Sequence, residues 1–203
     1  TAASASVSAA AAVSSTRLMP QTISTATVAG VTVRALTNYP INNWGDSGTA
    51  CSISSTTGNC MGWKHDLPTS AERVVADPLL IPTSDGARIL YVTMVPSNTP
   101  CSFGGYSWIM EANPQNGGPL STAIFDINGD GVFDGLDMIN PTTAPAGKQN
   151  SPGILTTPRV LQGGTSSQPE TMHKLSGSSE GTIVDTVNSG GLSPRRRSWR
   201  QLK

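Results

Sequence analysis

Charge is scarce in this chain: 13% of its 203 residues are Asp, Glu, Lys or Arg, about half the ordinary share. Thirteen basic and thirteen acidic residues cancel to a formal net charge of zero. No global field recruits nucleic acid or anionic lipid, so both are excluded as principal partners. Long apolar runs are also missing, so the sequence predicts no membrane-spanning helix. The opening TAASASVSAAAAVSST lacks a basic leader and a long apolar core, which excludes a signal peptide there and reads as the start of a fragment. No segment keeps apolar residues at i, i+3, i+4 and i+7 through three turns, which excludes a helical bundle. Histidine occurs twice, as His65 and His173, and no G-x-S-x-G or comparable nucleophile context is present, so the chain is not expected to be an enzyme.

Gly (21) and Pro (15) together make up about 18% of the chain, and they punctuate short runs rich in Val, Ile, Thr and aromatics. These runs are Thr32 to Leu36, Glu72 to Ala76, Arg88 to Val95, Ser107 to Ala112, Ile154 to Leu161 and Thr182 to Val187. An all-β fold is expected from residue 31 to 203. The Ala/Ser/Thr-rich residues 1–30, with no apolar period, are expected to be a linker or disordered segment. A faint repeat sharpens this reading: ADPLL leads to IMEANPQNGG, and TTPRVL leads to IVDTVNSGG, with Pro78 and Pro158 lying 80 residues apart. Without the 33 residues from Ser121 to Gly153 the period is about 47, close to that of a four-stranded propeller blade.

Cys51, Cys60 and Cys101 allow three single pairings with one sulfur left over, and Cys51 with Cys60 is the shortest closure. Low Lys and Glu content, with abundant Ser, Thr, Asn and Gly, suits an exported protein in which a disulfide persists.

The sharpest motif is Asp126-Ile-Asn128-Gly-Asp130-Gly131-Val132-Phe133-Asp134-Gly-Leu-Asp137. Side-chain oxygens occupy positions 1, 3, 5 and 9, Gly131 stands at the sharp turn of position 6, and Val132 offers its carbonyl at position 7. Such alternation turns five oxygens inward, which suits Ca²⁺ far better than zinc, since zinc would require His or Cys. From Ile89 to Gly147 there is no Lys, Arg or His, whereas Glu111, Asp126, Asp130, Asp134 and Asp137 all fall in that span. Carboxylates about 5 Å apart at an effective dielectric near 20 repel by roughly 3 kcal/mol per pair, and no local cation offsets this. The loop is EF-hand-like rather than a true EF-hand, because position 12 is Asp137 instead of a bidentate Glu and PQNGGPLSTAIF precedes it where a helix should stand. Asp137 therefore ranks below Asp126, Asn128, Asp130, Val132 and Asp134 as a ligand. An affinity of about 10⁻⁴ to 10⁻³ M, that of extracellular modules, is expected.

Other residues carry weaker signals. His65 beside Asp66 has the form of an orienting pair for base chemistry. Trp44, Trp63, Trp108 and Trp199 are candidates for stacking on sugars, although packing aromatics are the commoner case. The basic tail from Arg195 to Arg200 reads as a solvated or sheet-closing terminus.

The runs GWKHDLP, ERVVADPLL, PCSFGGYSWIME and FDINGDGVFDGLD, in that order and spacing, resemble the C-terminal β-propeller of the PilC/PilY-type type IV pilus biogenesis factors and tip adhesins. The resemblance covers residues 31–203. It implies a partial β-propeller, the last blades of a modified seven-bladed ring, with a calcium loop between strands. It further implies a bacterial surface, pilus-associated location reached through the periplasm, with pilus components such as minor pilins and host-cell or abiotic surfaces as partners. In that family calcium occupancy governs pilus extension against retraction, twitching motility and attachment. Two other readings of the loop are a secreted, calcium-stabilised dockerin-like module and a secreted hydrolase with structural calcium. A dockerin normally carries two such loops with helices, and a hydrolase would need a nucleophile or carboxylate pair outside the loop; this sequence supplies neither.

Overall fold

A computed structural model describes residues 14–45, 50–51, 53, 59–83, 86–99, 104–150, 153–162, 171–178 and 181–188. The chain is all-β, and its described helical content consists of two 3₁₀ turns, Ser15–Arg17 and Gly135–Asp137. The strands are β1 (Leu18–Gln21), β2 (Ile23–Val28), β3 (Val31–Leu36), β4 (Asn43–Trp44), β5 (Asn59–Cys60), β6 (Gly62–His65), β7 (Arg73–Val74), β8 (Leu79–Thr83), β9 (Gly86–Pro96), β10 (Gly105–Ala112), β11 (Gly147–Asn150), β12 (Arg159–Gln162), β13 (Thr171–Ser178) and β14 (Gly181–Asn188). The largest sheet runs β2-β3-β11-β10-β9-β7, with β8 also on β9, and all its pairings are antiparallel. Strands β12-β13-β14 form a second antiparallel sheet, while β1-β6 and β4-β5 pair in parallel.

The long strand β9 explains why Arg88 to Val95 reads as an almost unbroken apolar run. Leu90 and Val92 point into one buried cluster, together with Ile109 of β10. Tyr91 and Val95 point into another on the opposite face, with Trp108, Met110 and Ala112. A strand buried on both faces has no polar side to alternate with. The first cluster also takes in Ile124, Phe125, Ile127, Leu155, Met172 and Val187, so the stretch before the acidic loop and the second sheet pack on the same core.

Residues 18–28 correct the expected boundary at 30. Leu18–Gln21 and Ile23–Val28 are strands, and β2 pairs with β3 across a two-residue turn at Ala29 (φ 47°) and Gly30 (φ 80°). Two consecutive positive φ values suit a hairpin turn whose twist matches its strands. The signal lay in TATVAGVTV, where apolar residues flank Ala-Gly; the Ala/Ser/Thr composition concealed it. Gln21 is 1% exposed, its amide donates to the carbonyls of Tyr39 and Asn116, both at 2.8 Å, and its oxygen accepts from the Thr37 hydroxyl at 2.8 Å.

Two expected strands are shorter than read. In Glu72 to Ala76 only Arg73–Val74 pairs, and Val75 is exposed. In Ile154 to Leu161 the strand starts only after Pro158, which has no N–H to give to a ladder, and Leu155 makes one isolated bridge to Ser178. The 80-residue repeat has a structural counterpart: β8-β9-β10 and β12-β13-β14 are both antiparallel meanders, and ADPLL and TTPRVL open them. The Thr157 hydroxyl donates to the Asp77 carbonyl at 3.0 Å, joining the two openings.

A fully buried ion pair ties the large sheet together. Arg34 of β3 forms a two-pronged contact with Glu72, Nη1 to Oε1 at 2.6 Å and Nη2 to Oε2 at 2.7 Å. Its guanidinium lies 3.9 Å from the centre of the Trp108 ring, and the Thr93 hydroxyl donates to Glu72 Oε1 at 2.5 Å. Burial by itself raises the Glu72 pKa, but the hydrogen bonds from Arg34 and Thr93 and the Arg34 charge outweigh it and hold the carboxyl below its ordinary value.

Removing one partner leaves a buried charge unpaired. Glu72→Gln is expected to lower stability by about 3–5 kcal/mol in urea unfolding, and a loss below about 1 kcal/mol would refute the pair as the sheet's tie. Because the folded pKa is depressed, this stability is present above the unfolded value near 4.3 and disappears as the pH falls through the folded value. The acid-side slope should flatten in Glu72→Gln.

Candidate metal-binding loop

The loop is held at both ends. On its entry side Phe125, fully buried, bridges to Val187 of β14, and the Ile124 carbonyl accepts from the Asn188 N–H at 2.8 Å. At its far end Asp137 is fully buried and acts as an internal anchor. Its Oδ1 accepts from the Ile127 N–H at 2.6 Å and the Asn128 N–H at 3.2 Å, and its Oδ2 from the Asp134 N–H at 3.1 Å. Asp134 caps the 3₁₀ turn Gly135–Asp137 by accepting from the Leu136 N–H at 2.7 Å, which completes a reciprocal capping box.

Within this frame the carboxylates bend the chain. Asp126 accepts from the Gly129 N–H at 2.7 Å and the Gly131 N–H at 2.9 Å. Asp130 accepts from the Val132 N–H at 2.8 Å and from the Asn128 amide at 2.7 Å, and Asn128 Oδ1 accepts from the Asp130 N–H at 3.1 Å. Gly131 adopts φ 81°, a left-handed conformation that a side chain would strain, as position 6 of a calcium loop requires. Val132 is 53% exposed, so its side chain has no packing task.

The structure thus brings Asp126, Asn128, Asp130, Val132 and Asp134 into one tight turn. Among the described residues no three His, Cys, Asp or Glu side chains are gathered closely enough to hold a metal ion. The loop oxygens face backbone N–H groups instead. The donor chemistry nevertheless fits a hard cation, because the set is all oxygen and an ionised carboxylate offers about four lone-pair positions, only some of which the N–H groups use. Asp137 already spends both oxygens on three N–H groups, and its role as a structural anchor is the part that ligand spacing did not reveal.

Of the acids without a local counter-charge, Glu111 finds its partners through tertiary structure. It is 1% exposed and ion-paired with the buried Lys174 of β13, while Arg88 Nη1 stands 3.6 Å away. His65 and Asp66 form no pair. The Asp66 carboxyl meets Lys64 at 3.0 Å, whereas His65 lies between the Tyr91 hydroxyl at 2.5 Å and the Gly117 carbonyl at 2.7 Å. A carbonyl only accepts, so Nε2 carries the proton and Nδ1 accepts from Tyr91, the neutral tautomer. Burial lowers the His65 pKa, against the weaker opposing effects of the Gly117 carbonyl and the Asp66 charge. Burial also pushes the Tyr91 hydroxyl up. Trp63 and Trp108 are packing residues, Trp44 is 57% exposed, and Cys51 is disulfide-bonded to Cys60. Cys101, Trp199 and the basic tail lie outside the described residues.

The chain is similar to type IV pilus biogenesis factors. It is 30% identical over 151 residues to the PilY1 homolog of Xylella fastidiosa, covering 70% of this chain and 11% of that protein. It is 26% identical over 176 residues to PilY1 of Pseudomonas aeruginosa strain PAO1, covering 85% of this chain and 14% of that protein. A 123-residue match to PilY1 of P. aeruginosa strain UCBPP-PA14 is 25% identical and covers 61% of this chain and 10% of that protein. The chain therefore spans only about a tenth of the length of these relatives. No protein-family model matches it. The crystal structure of the P. aeruginosa PilY1 C-terminal domain superposes with a TM-score of 0.54 at 22% identity, over 86% of this chain and 32% of that one, which establishes the shared fold.

The environment of His65 generates a pH dependence. Its folded pKa is depressed, so the unfolded state binds more protons, and stability should fall as the pH drops below the ordinary value of about 6.5 toward the folded value. His65→Gln should remove this component of the melting-temperature profile between about pH 6.5 and 5; an unchanged profile would show that another group titrates there. Asp137→Ala leaves three loop N–H groups without their acceptor and should cost about 1–3 kcal/mol even with calcium chelated, a loss a simple ligand position would not produce.

Proposed function

From a chain with the sequence similarity and fold of a PilY1-type C-terminal domain, we propose a calcium-binding, non-enzymatic domain of a type IV pilus biogenesis factor and tip adhesin. On this reading calcium regulates pilus extension against retraction, and with it twitching motility and adhesion to surfaces or host cells. The supporting observation is the anchoring of residues 126–137: Phe125 and Asp137 fix both ends in the core while the acidic turn between them stays exposed. Such a loop can change state without unfolding the sheets behind it.

Asp126, Asn128, Asp130 and Asp134 would hold the ion through side-chain oxygens and Val132 through its carbonyl. Calcium supplies positive charge to a segment that has none of its own, relieving repulsion among the carboxylates and ordering the turn. The ordered turn then presents a different surface to other pilus components. The antiparallel run β8-β9-β10-β11 and the meander β12-β13-β14 are read as blades of a propeller. The Cys51–Cys60 disulfide accords with an exported protein on the bacterial surface.

Calorimetric titration of calcium into the chelator-stripped chain is expected to give one site with a Kd of about 10⁻⁴ to 10⁻³ M. Calcium at ten times Kd should add about 1.4 kcal/mol of stability and raise the melting temperature. Both effects should be lost in Asp134→Ala. Equal affinity in that variant would refute the ligand assignment, and no heat from folded wild-type chain would refute the calcium reading.

A further inference from the structure

Trp44 is a large aromatic ring that the fold leaves in the open, 57% exposed, yet mounts on a rigid base. Its two-residue strand β4 pairs with β5 so that Trp44 lies opposite Cys60, and the Gly45 N–H donates to the Cys60 carbonyl at 3.0 Å. Cys60 is in turn joined to Cys51 by the disulfide. Beside the ring a pocket of about 460 Å³ is lined by Pro40, Ile41, Asn113, Gln115 and Asn116.

The three amide residues belong to one turn that is fixed from behind. The Gly117 N–H donates to the Asn113 carbonyl at 2.8 Å, and the Asn113 N–H to the Gly118 carbonyl at 2.9 Å. The Trp63 indole donates to the Pro114 carbonyl at 2.9 Å, Gln21 to the Asn116 carbonyl at 2.8 Å, and His65 to the Gly117 carbonyl at 2.7 Å. These three supports come from β1 and β6. Two of the three amides keep free capacity: among the described residues the Gln115 side chain has no hydrogen-bond partner, and Asn113 uses only its oxygen, accepting from the Gln115 N–H at 2.8 Å. The Asn116 amide is engaged, donating to Asn38 Oδ1 at 2.7 Å and accepting from the Gly118 N–H at 3.0 Å.

Asn113 and Gln115 also line a second pocket of about 460 Å³ that continues past Ser121, Thr122 and Thr142. The charged residue lining the pair of pockets is Arg88, which is 3% exposed and already engaged by the Asn188 carbonyl at 2.7 Å and by Glu111. The Thr142 hydroxyl is held by Asn140 at 3.1 Å. An exposed ring beside the Gln115 amide, the Asn113 amide nitrogen and the Ser121 and Thr122 hydroxyls matches a ligand with an apolar face and a rim of hydroxyl groups. Among the described residues the lining holds no free cation to receive phosphate or carboxylate, which argues against a nucleotide or an acidic sugar.

We propose that this groove binds a neutral oligosaccharide, one pyranose ring stacked on Trp44 and its hydroxyls paired with Asn113 and Gln115, the next rings running toward Ser121 and Thr122. The site is independent of the acidic loop.

The test is calorimetry and saturation-transfer NMR on the full chain with cellotriose, chitotriose and β-1,4-galactotriose, with 3′-sialyllactose as the charged comparison, each with and without a calcium chelator. At least one neutral trisaccharide is expected to bind with a Kd of about 1 mM or tighter, unaffected by the chelator. Trp44→Ala, at an exposed position, should remain folded and weaken binding at least tenfold; Trp44→Phe should retain part of the affinity, and Gln115→Ala should lose several-fold. The proposal is overturned if no neutral trisaccharide saturates the folded chain at about 10 mM, if Trp44→Ala binds as wild type does, or if sialyllactose binds more tightly than its neutral counterparts. Because every arm is also run with calcium chelated, failure of the calcium loop and failure of this site read out separately.

Discussion

The pairing of Arg34 with Glu72 in a place water does not reach is the constraint on which the large sheet depends. Two full charges are withdrawn from solvent, and the two-pronged contact, the Thr93 hydroxyl, Thr69 through its hydroxyl and N–H, and the face of Trp108 compensate them. Because these groups come from β3, β9, β10 and the segment ahead of β7, no other register lets all of them meet. In a chain with so few charges, placing one at this point fixes alignment more tightly than another apolar contact would.

A second buried charge performs a similar task between the sheets. Glu111 of β10 meets Lys174 of β13, whose ammonium lies 4.7 Å from the centre of the Phe125 ring, and Arg88 of β9 reaches across to the carbonyl of Asn188 in β14. Phe125 immediately precedes the acidic loop, so the same cluster that joins the sheets also sets where that loop begins. A change in the loop's state acts against a fixed base.

Two surfaces with different chemistry therefore emerge from one scaffold. The loop of residues 126–137 concentrates carboxylates where the sequence has no cation, and it fits the calcium-responsive role proposed for a pilus biogenesis factor. The groove at Trp44 is nearly free of charge and offers a ring and amides. Metal response and surface attachment would then be separate properties of this domain, each removable by substitution without the other.

Strand-rich character was legible in the order of residues alone, because period-two and fully apolar runs between Gly and Pro leave little choice, and β3, β9, β10 and β14 lie close to where those runs fall. The acidic turn was legible too, since Asx residues at alternate positions around Gly131 dictate local geometry whatever surrounds it. Tertiary structure settled what depends on partners distant in the chain. Residues 18–28 became strands because β3 and β6 supplied edges for them. Glu111 gained Lys174, 63 positions away in the sequence, Asp137 became a buried anchor for three loop N–H groups, and His65 was drawn from Asp66 to Tyr91 and Gly117. Spacing reports which side chains can meet within a turn, but burial is set by what the rest of the chain lays on top, and burial turned these polar residues into structure.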